Sequence, residues 1–159
     1  MDNLIIYDSV FGNTRQIAEI IKKAIASQGD TNCLQVKDVK LEQLQDLKIL
    51  IVGSPTRKFS PTGAIKKFLK KIPADNLANV KVAAFDTRIS PEEIGSGFLS
   101  FLVKIFGYAA KPIARKLQKK GGDLVIEPQG FIVTGTKGPL KEGEIERATK
   151  WAKEILVKN

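Results

Sequence analysis

Histidine is absent from this chain of 159 residues. That excludes Ser-His and Cys-His nucleophilic catalysis and every His-ligated metal site, and it keeps the net charge nearly constant between about pH 5 and 8. Cysteine is almost absent. Cys33 alone forms no internal disulfide, zinc tetrad or dithiol pair, which suits a reducing compartment, and a lone free thiol is expected to be a small buried hydrophobe. Long apolar runs are missing as well: the longest candidate, Gly97 to Ala110, is interrupted by Lys104 and falls short of the ~20 residues of a membrane span. Asp2 precedes only a short apolar run, Leu4 to Tyr7, so neither a signal nor a transit peptide is expected, and the expected location is cytoplasmic. With 43% hydrophobic and 27% charged residues, and no Pro or Gly excess, the composition is that of a folded globular chain. The length predicts one domain, residues 1–159.

Acidic residues are missing from two particular stretches. Pro55 to Ala74 carries Arg57, Lys58, Lys66, Lys67, Lys70 and Lys71 without an acid, and Ile94 to Gly122 carries Lys104, Lys111, Arg115, Lys116, Lys119 and Lys120, again without one. The rest of the chain, with 14 basic and 17 acidic residues, nets −3, so the overall +9 is regional. Such a field steers an acidic partner, an anionic ligand, a nucleic acid or a membrane surface, and says nothing about fold.

Apolar runs alternate with segments of helical period, the pattern of βαβ crossovers and a parallel sheet. Strands are expected near 3–7, 32–36, 48–53, 80–85 and 124–133. Helical stripes are formed by Ile17, Ile20, Ile21, Ala24 and Ile25; by Ile65, Phe68, Leu69 and Ile72; by Ile113, Ala114 and Leu117; and by Ile145, Ala148, Trp151, Ala152 and Ile155. A short helix is expected at 41–46. These elements predict an α/β protein of three layers, a doubly wound five-stranded parallel sheet between helices, in which ligands bind beyond the carboxyl ends of the strands.

After the first strand comes Asp8-Ser9-Val10-Phe11-Gly12-Asn13-Thr14, with Arg15 in the first helical turn. Hydroxyls, a flexible Gly and backbone N–H groups at a helix N-terminus make an anion site; the alternative is that Asn13 or Thr14 is a plain N-cap. No GxxxxGK[ST] and no GxGxxG occurs.

The run Ile5 to Thr14 resembles the opening strand and phosphate loop of flavodoxins, whose pattern is [TS]-x-[TY]-G-N-T, and Gly53-Ser54-Pro55-Thr56 is similar to the family's second flavin loop. The resemblance implies strand order 2-1-3-4-5 and FMN as cofactor. It implies a phosphate held by the loop Ser9, Val10, Phe11, Gly12, Asn13 and Thr14, with Phe11 contributing its backbone. Pro55, Thr56, Arg57, Lys58 and Phe59 would border the isoalloxazine ring, and Asp86, Thr87, Arg88 and Ile89 would form the third loop. The family often stacks the ring between aromatics of the second and third loops; here Phe59 is offered at one and Ile89 near the other. Phe11 stands where many flavodoxins have Thr, which places more weight on Ser9 and Thr14.

Electron-carrying flavodoxins are typically acidic, whereas here Arg57, Lys58 and Arg88 accompany the flavin loops. Cations near the N1/C2 edge stabilise anionic reduced flavin, so a higher midpoint potential is expected, unless Arg57 and Lys58 point to solvent or Arg88 pairs with Asp86. The implied function is electron transfer through bound flavin to an acidic redox protein or a small-molecule acceptor, a quinone-like one among the candidates. The segment 95–120 sets Phe98, Leu99, Phe101, Leu102, Ile105, Phe106 and Tyr108 before a basic run. It reads as core packing, a flap, or a peripheral membrane or partner contact over 98–120. The competing function is a flavin-free binding module that docks nucleic acid, anionic lipid or an acidic protein through 57–71 and 104–120. Nucleic acid is the less favoured partner, because the charge begins at the second flavin loop and follows the third, where it reads chiefly as a modifier of flavin potential and partner choice.

Overall fold

Strands that are apolar at every position need cover on both faces. The computed structural model describes residues 1–90, 95, 97, 98, 101, 103 and 107–157, and in it they have that cover. Strands β1 (Asn3–Tyr7), β2 (Thr31–Gln35), β3 (Ile49–Pro55), β4 (Lys81–Arg88), β5 (Asp123–Leu124) and β6 (Gln129–Ile132) form one parallel sheet in the order β2-β1-β3-β4-β5, with β6 also paired to β4. Helices α1 (Asn13–Ile25), α2 (Gly63–Lys71), α3 (Ala110–Gln118) and α4 (Glu144–Val157) complete the α/β architecture.

Strand alternation sorts the core into two layers. Leu4, Ile6, Leu50, Val52, Val82 and Ala84 pack with Ile65, Phe68 and Leu69 of α2 and Ile113, Ala114 and Leu117 of α3. Ile5, Tyr7, Ile51, Ala83 and Phe85 pack on the other face with Ile17 and Ile21 of α1 and Ala148, Trp151 and Ile155 of α4. Phe85, Phe131 and Trp151 meet edge to face, with centroids 6.1 to 6.4 Å apart. Gly53 is required beneath this cluster, because a Cβ there would collide with the Phe85 ring.

Four expectations need correction. The run 124–133 is two short strands: β4 advances three residues from Val82 to Phe85 while the partner advances five from Leu124 to Gln129. Two extra residues break the ladder beside Pro128, which has no N–H to offer. The segment 41–46 is a 3-10 turn at Leu41–Leu44, preceded by another at Val36–Asp38. Ile145 leaves the apolar stripe and is 43% exposed, because the buried face of α4 runs through Glu144, Ala148, Trp151, Ala152 and Ile155. Glu144 is buried because its carboxylate accepts from the Ile132 N–H at 2.8 Å and pairs with Arg147 at 2.5 Å. Cys33, on edge strand β2, is only half-buried, yet desolvation pushes its thiol up to about 12 and keeps it neutral.

Leu99, Leu102, Lys104, Ile105 and Phe106 of the aromatic-basic segment lie outside the described residues. Phe98 and Phe101 are exposed and Val103 is buried. Among the described residues no helix is long and apolar enough to cross a membrane.

Candidate functional site

The first loop enters α1 through Gly12, whose φ of 92° is left-handed and whose missing Cβ faces open space. Ser9 Oγ accepts from the N–H groups of Gly12 at 3.1 Å and Arg15 at 3.3 Å, and the Asp8 carboxylate accepts from the Ser9 N–H at 2.9 Å. Those contacts use the lone pairs of Ser9 Oγ and leave its proton to be donated outward. Among the described residues, no protein acceptor meets the N–H groups of Val10, Phe11, Asn13 or Thr14. Unpaired donors at the positive end of a helix dipole favour an anion. Thr14 is buried, and its hydroxyl shares a 2.8 Å hydrogen bond with that of Thr87.

The second loop leaves β3 at Pro55 and doubles back. Arg57 and Ser60 exchange backbone hydrogen bonds of 2.9 and 3.0 Å, with Lys58 and Phe59 at φ of 47° and 61°. Two consecutive left-handed residues make a turn of the I′ kind, in which side chains other than Gly, Asn or Asp are disfavoured. The turn holds Arg57 and Lys58 exposed at the rim and leaves Phe59 half-buried.

Of the four residues expected in the third loop, Asp86, Thr87 and Arg88 lie within β4, paired to Gly130, Phe131 and Ile132, and Ile89 follows the strand; they separate into two roles. Thr87, Arg88 and Ile89 face the cleft, whereas Asp86 is fully buried and turned toward the start of α3. Its carboxylate accepts from Arg88 Nε at 2.5 Å, Arg88 Nη2 at 2.6 Å and the Ala110 N–H at 2.7 Å. Burial, the largest influence, holds the Asp86 carboxyl above the usual carboxylate range, against the downward pull of Arg88, the Ala110 N–H and Thr56. We assign it as ionised, since every atom aimed at it is a donor. Arg88 also lies 3.8 Å over the Tyr108 ring, and Gly130 lets it lie there, because a Cβ at that position would strike the guanidinium. Arg88 is therefore a paired, stacked cation.

These loops enclose a cleft of about 300 Å³ at the carboxyl ends of β1, β3 and β4. Val10, Phe11, Asn13, Thr14, Pro55, Thr56, Arg57, Lys58, Thr87, Arg88 and Ile89 line it. Ser9, Gly12, Phe59 and Asp86 are not among its lining residues: Ser9 and Gly12 shape the first loop through their own hydrogen bond, and Asp86 turns toward α3. Val133 and Thr136 also line the cleft. Their stretch reads from sequence as a strand end and turn, but Asn13 Nδ2 donates to the Lys137 carbonyl at 3.0 Å and draws it against the first loop. Among the described residues Phe11, 46% exposed, is the one aromatic of the lining, and none of them brings a carboxylate to the cleft.

A profile of the flavodoxin domain matches residues 4–124, most of the chain. The chain belongs to the flavodoxin family. The curated flavodoxin of Clostridium beijerinckii is 44% identical over 50 residues, so the match spans 31% of this chain and 36% of that relative. Among solved structures, oxidised flavodoxin 1 of Bacillus cereus superimposes with a TM-score of 0.76 at 18% identity, covering 98% of this chain and 97% of that one. The rubredoxin oxygen:oxidoreductase of the anaerobe Desulfovibrio gigas gives 0.71 at 21% identity, over 97% of this chain and 35% of that one. Both structures show likeness of fold.

FMN is the cofactor of the family, and the residues of this flavodoxin's cleft fit it. The open N–H groups of the first loop suit a phosphate dianion. The cleft volume is at the low end for small-molecule sites, and its lining mixes apolar surface with a few polar groups. The fit is weakest at the ring, where neither Phe59 nor a third-loop aromatic lines the cleft.

Proposed function

We propose that this flavodoxin carries electrons on FMN held in the cleft, with the phosphate on the Ser9–Thr14 loop and the ring between Pro55–Lys58 and Thr87–Ile89. The observation that carries the reading is the set of N–H groups at the start of α1 that meet no acceptor among the described residues, beside a cleft whose charged lining, among those residues, is cationic. When bound, FMN supplies the electron-transfer chemistry, and the chain binds, orients and tunes it. The Ser9 hydroxyl and the N–H groups of Phe11, Asn13 and Thr14 bind the phosphate; Thr87 holds the Thr14 hydroxyl in place. Arg57 and Lys58 stabilise negative charge at the ring and raise the midpoint potential, while Asp86 offsets the charge of Arg88. The electron partner is an acidic redox protein or a small-molecule acceptor, and the single neutral thiol suits a reducing, cytoplasmic setting.

Phosphate recognition is tested by titrating apo-protein with FMN and with riboflavin. Ser9→Ala combined with Thr14→Ala is expected to weaken FMN by about tenfold or more, the equivalent of ~1.4 kcal/mol, and to leave riboflavin nearly unchanged. Equal losses for both ligands contradict the placement of the phosphate.

A further inference from the structure

Away from the cleft, the 3-10 turns after β2 and helix α2 enclose a groove of about 440 Å³ that shares no lining residue with the flavin cleft. Its floor is apolar, formed in part by Val36 and Phe68. Lys37 and Lys40 stand on the turn side and Lys67 and Lys71 on the helix side, all exposed, with Glu42 as the one acid of the lining. Lys66 and Lys70 continue the charge along α2. This arrangement works against the helix. Lys66 with Lys70, and Lys67 with Lys71, are like charges one turn apart, and Lys66 and Lys67 lie near the positive end of the dipole. Lys66 Nζ meets Ser60 Oγ at 2.8 Å, which ties α2 to the turn bearing Arg57 and Lys58, so the basic surface runs from the groove to the rim of the cleft.

We propose that this groove docks an acidic segment of a partner protein, inserting one apolar side chain between flanking carboxylates. Charge complementarity selects the sign, and the recessed floor selects the class. A bilayer is convex or flat at this scale and would need protruding apolar side chains, whereas the apolar residues here lie below a ring of lysines. Nucleic acid would need stacking or base-reading groups, but the exposed positions of α2 and α3 hold, besides cations, only Gly63, Ala64 and Gln118. A side chain buried in a pocket and ringed by paired charges is the pattern of an interface anchor. Where that partner is the electron partner, the inference rests on the electron-carrier reading; the binding event itself does not.

The experiment uses the FMN-loaded protein and a synthetic peptide of glutamates around a central leucine, labelled with a red-emitting dye whose bands lie clear of the flavin's. The peptide binds by fluorescence anisotropy, and affinity falls about tenfold or more with Lys67→Glu/Lys71→Glu, with Lys37→Glu/Lys40→Glu on the separate turn element, and with a peptide whose leucine is replaced by serine. Lys150→Glu/Lys153→Glu on α4, across the sheet, changes it by less than about twofold, as distant exposed charges do. Flavin fluorescence of the same samples reports cofactor retention, which separates failure of the groove from failure of the cleft. Absence of peptide binding, indifference to either lysine pair or to the leucine, or equal or tighter binding of single-stranded DNA or of phosphatidylserine vesicles overturns the proposal.

Discussion

The two helical layers bury the same kind of stripe and present opposite outer faces. Helices α2 and α3 carry Lys66, Lys67, Lys70, Lys71, Lys111, Arg115 and Lys116 without an acid. Helices α1 and α4 carry Arg15, Lys22, Lys23, Arg147, Lys150 and Lys153 interspersed with Glu19, Glu144, Glu146 and Glu154. Inside, Ile113 and Leu117 are as fully buried as Ile17 and Ile21. The sheet therefore holds its helices by apolar contact on either face, and the one-signed charge of α2 and α3 is not needed for folding. A uniform field of this kind steers anionic ligands and acidic partners, which is the role proposed for it above.

The comparison breaks if the inner contacts of the two layers differ in worth. Leu117→Ala on α3 and Ile21→Ala on α1 are each expected to cost about 2–5 kcal/mol in urea unfolding. A loss confined to one layer shows that the other is held by something besides packing. A smaller effect sharpens the contrast between free and paired cations at the cleft. Arg57→Gln with Lys58→Gln should lower the two-electron midpoint potential by about 30 mV, the equivalent of ~1.4 kcal/mol. Arg88→Gln should move it less, because Asp86 already opposes that charge, and should register chiefly as lost stability from a buried carboxylate without its partner. A potential unmoved by the first pair places both side chains in solvent. The smallest effect lies on the outer face. Lys67→Glu should raise stability by a few tenths of a kcal/mol, roughly 0.2–0.5, as an i,i+4 repulsion becomes an attraction. A clear loss there shows that the basic face supports the fold.

Much of the architecture was legible because its signals are local. The apolar runs at Asn3–Tyr7 and Ile49–Pro55 leave no wet face, the helical stripes repeat at the right period, and Gly12-Asn13-Thr14 marks a helix start with its motif. What was hidden depends on tertiary register. The split of the last strand follows from its offset against β4, which Pro128 hints at but does not determine. Ile145 yields the expected inside position to Glu144, which finds the Ile132 N–H and Arg147. Asp86 lies within β4 rather than in the expected loop, and only the Ala110 N–H reveals that it serves the start of α3. Val133 and Thr136 reach the cleft through Asn13 and the Lys137 carbonyl, 124 positions apart in sequence. The signal available for them was the general rule that ligands lie beyond the carboxyl ends of strands, extended to the last strand.

The most direct measurement is a titration of the apo-protein with FMN, followed by visible absorbance and flavin fluorescence. A cleft built for this cofactor takes up one FMN per chain at or below micromolar concentration, with quenched emission and a perturbed visible spectrum. Free-flavin fluorescence that persists through micromolar protein, with no spectral change, contradicts the account.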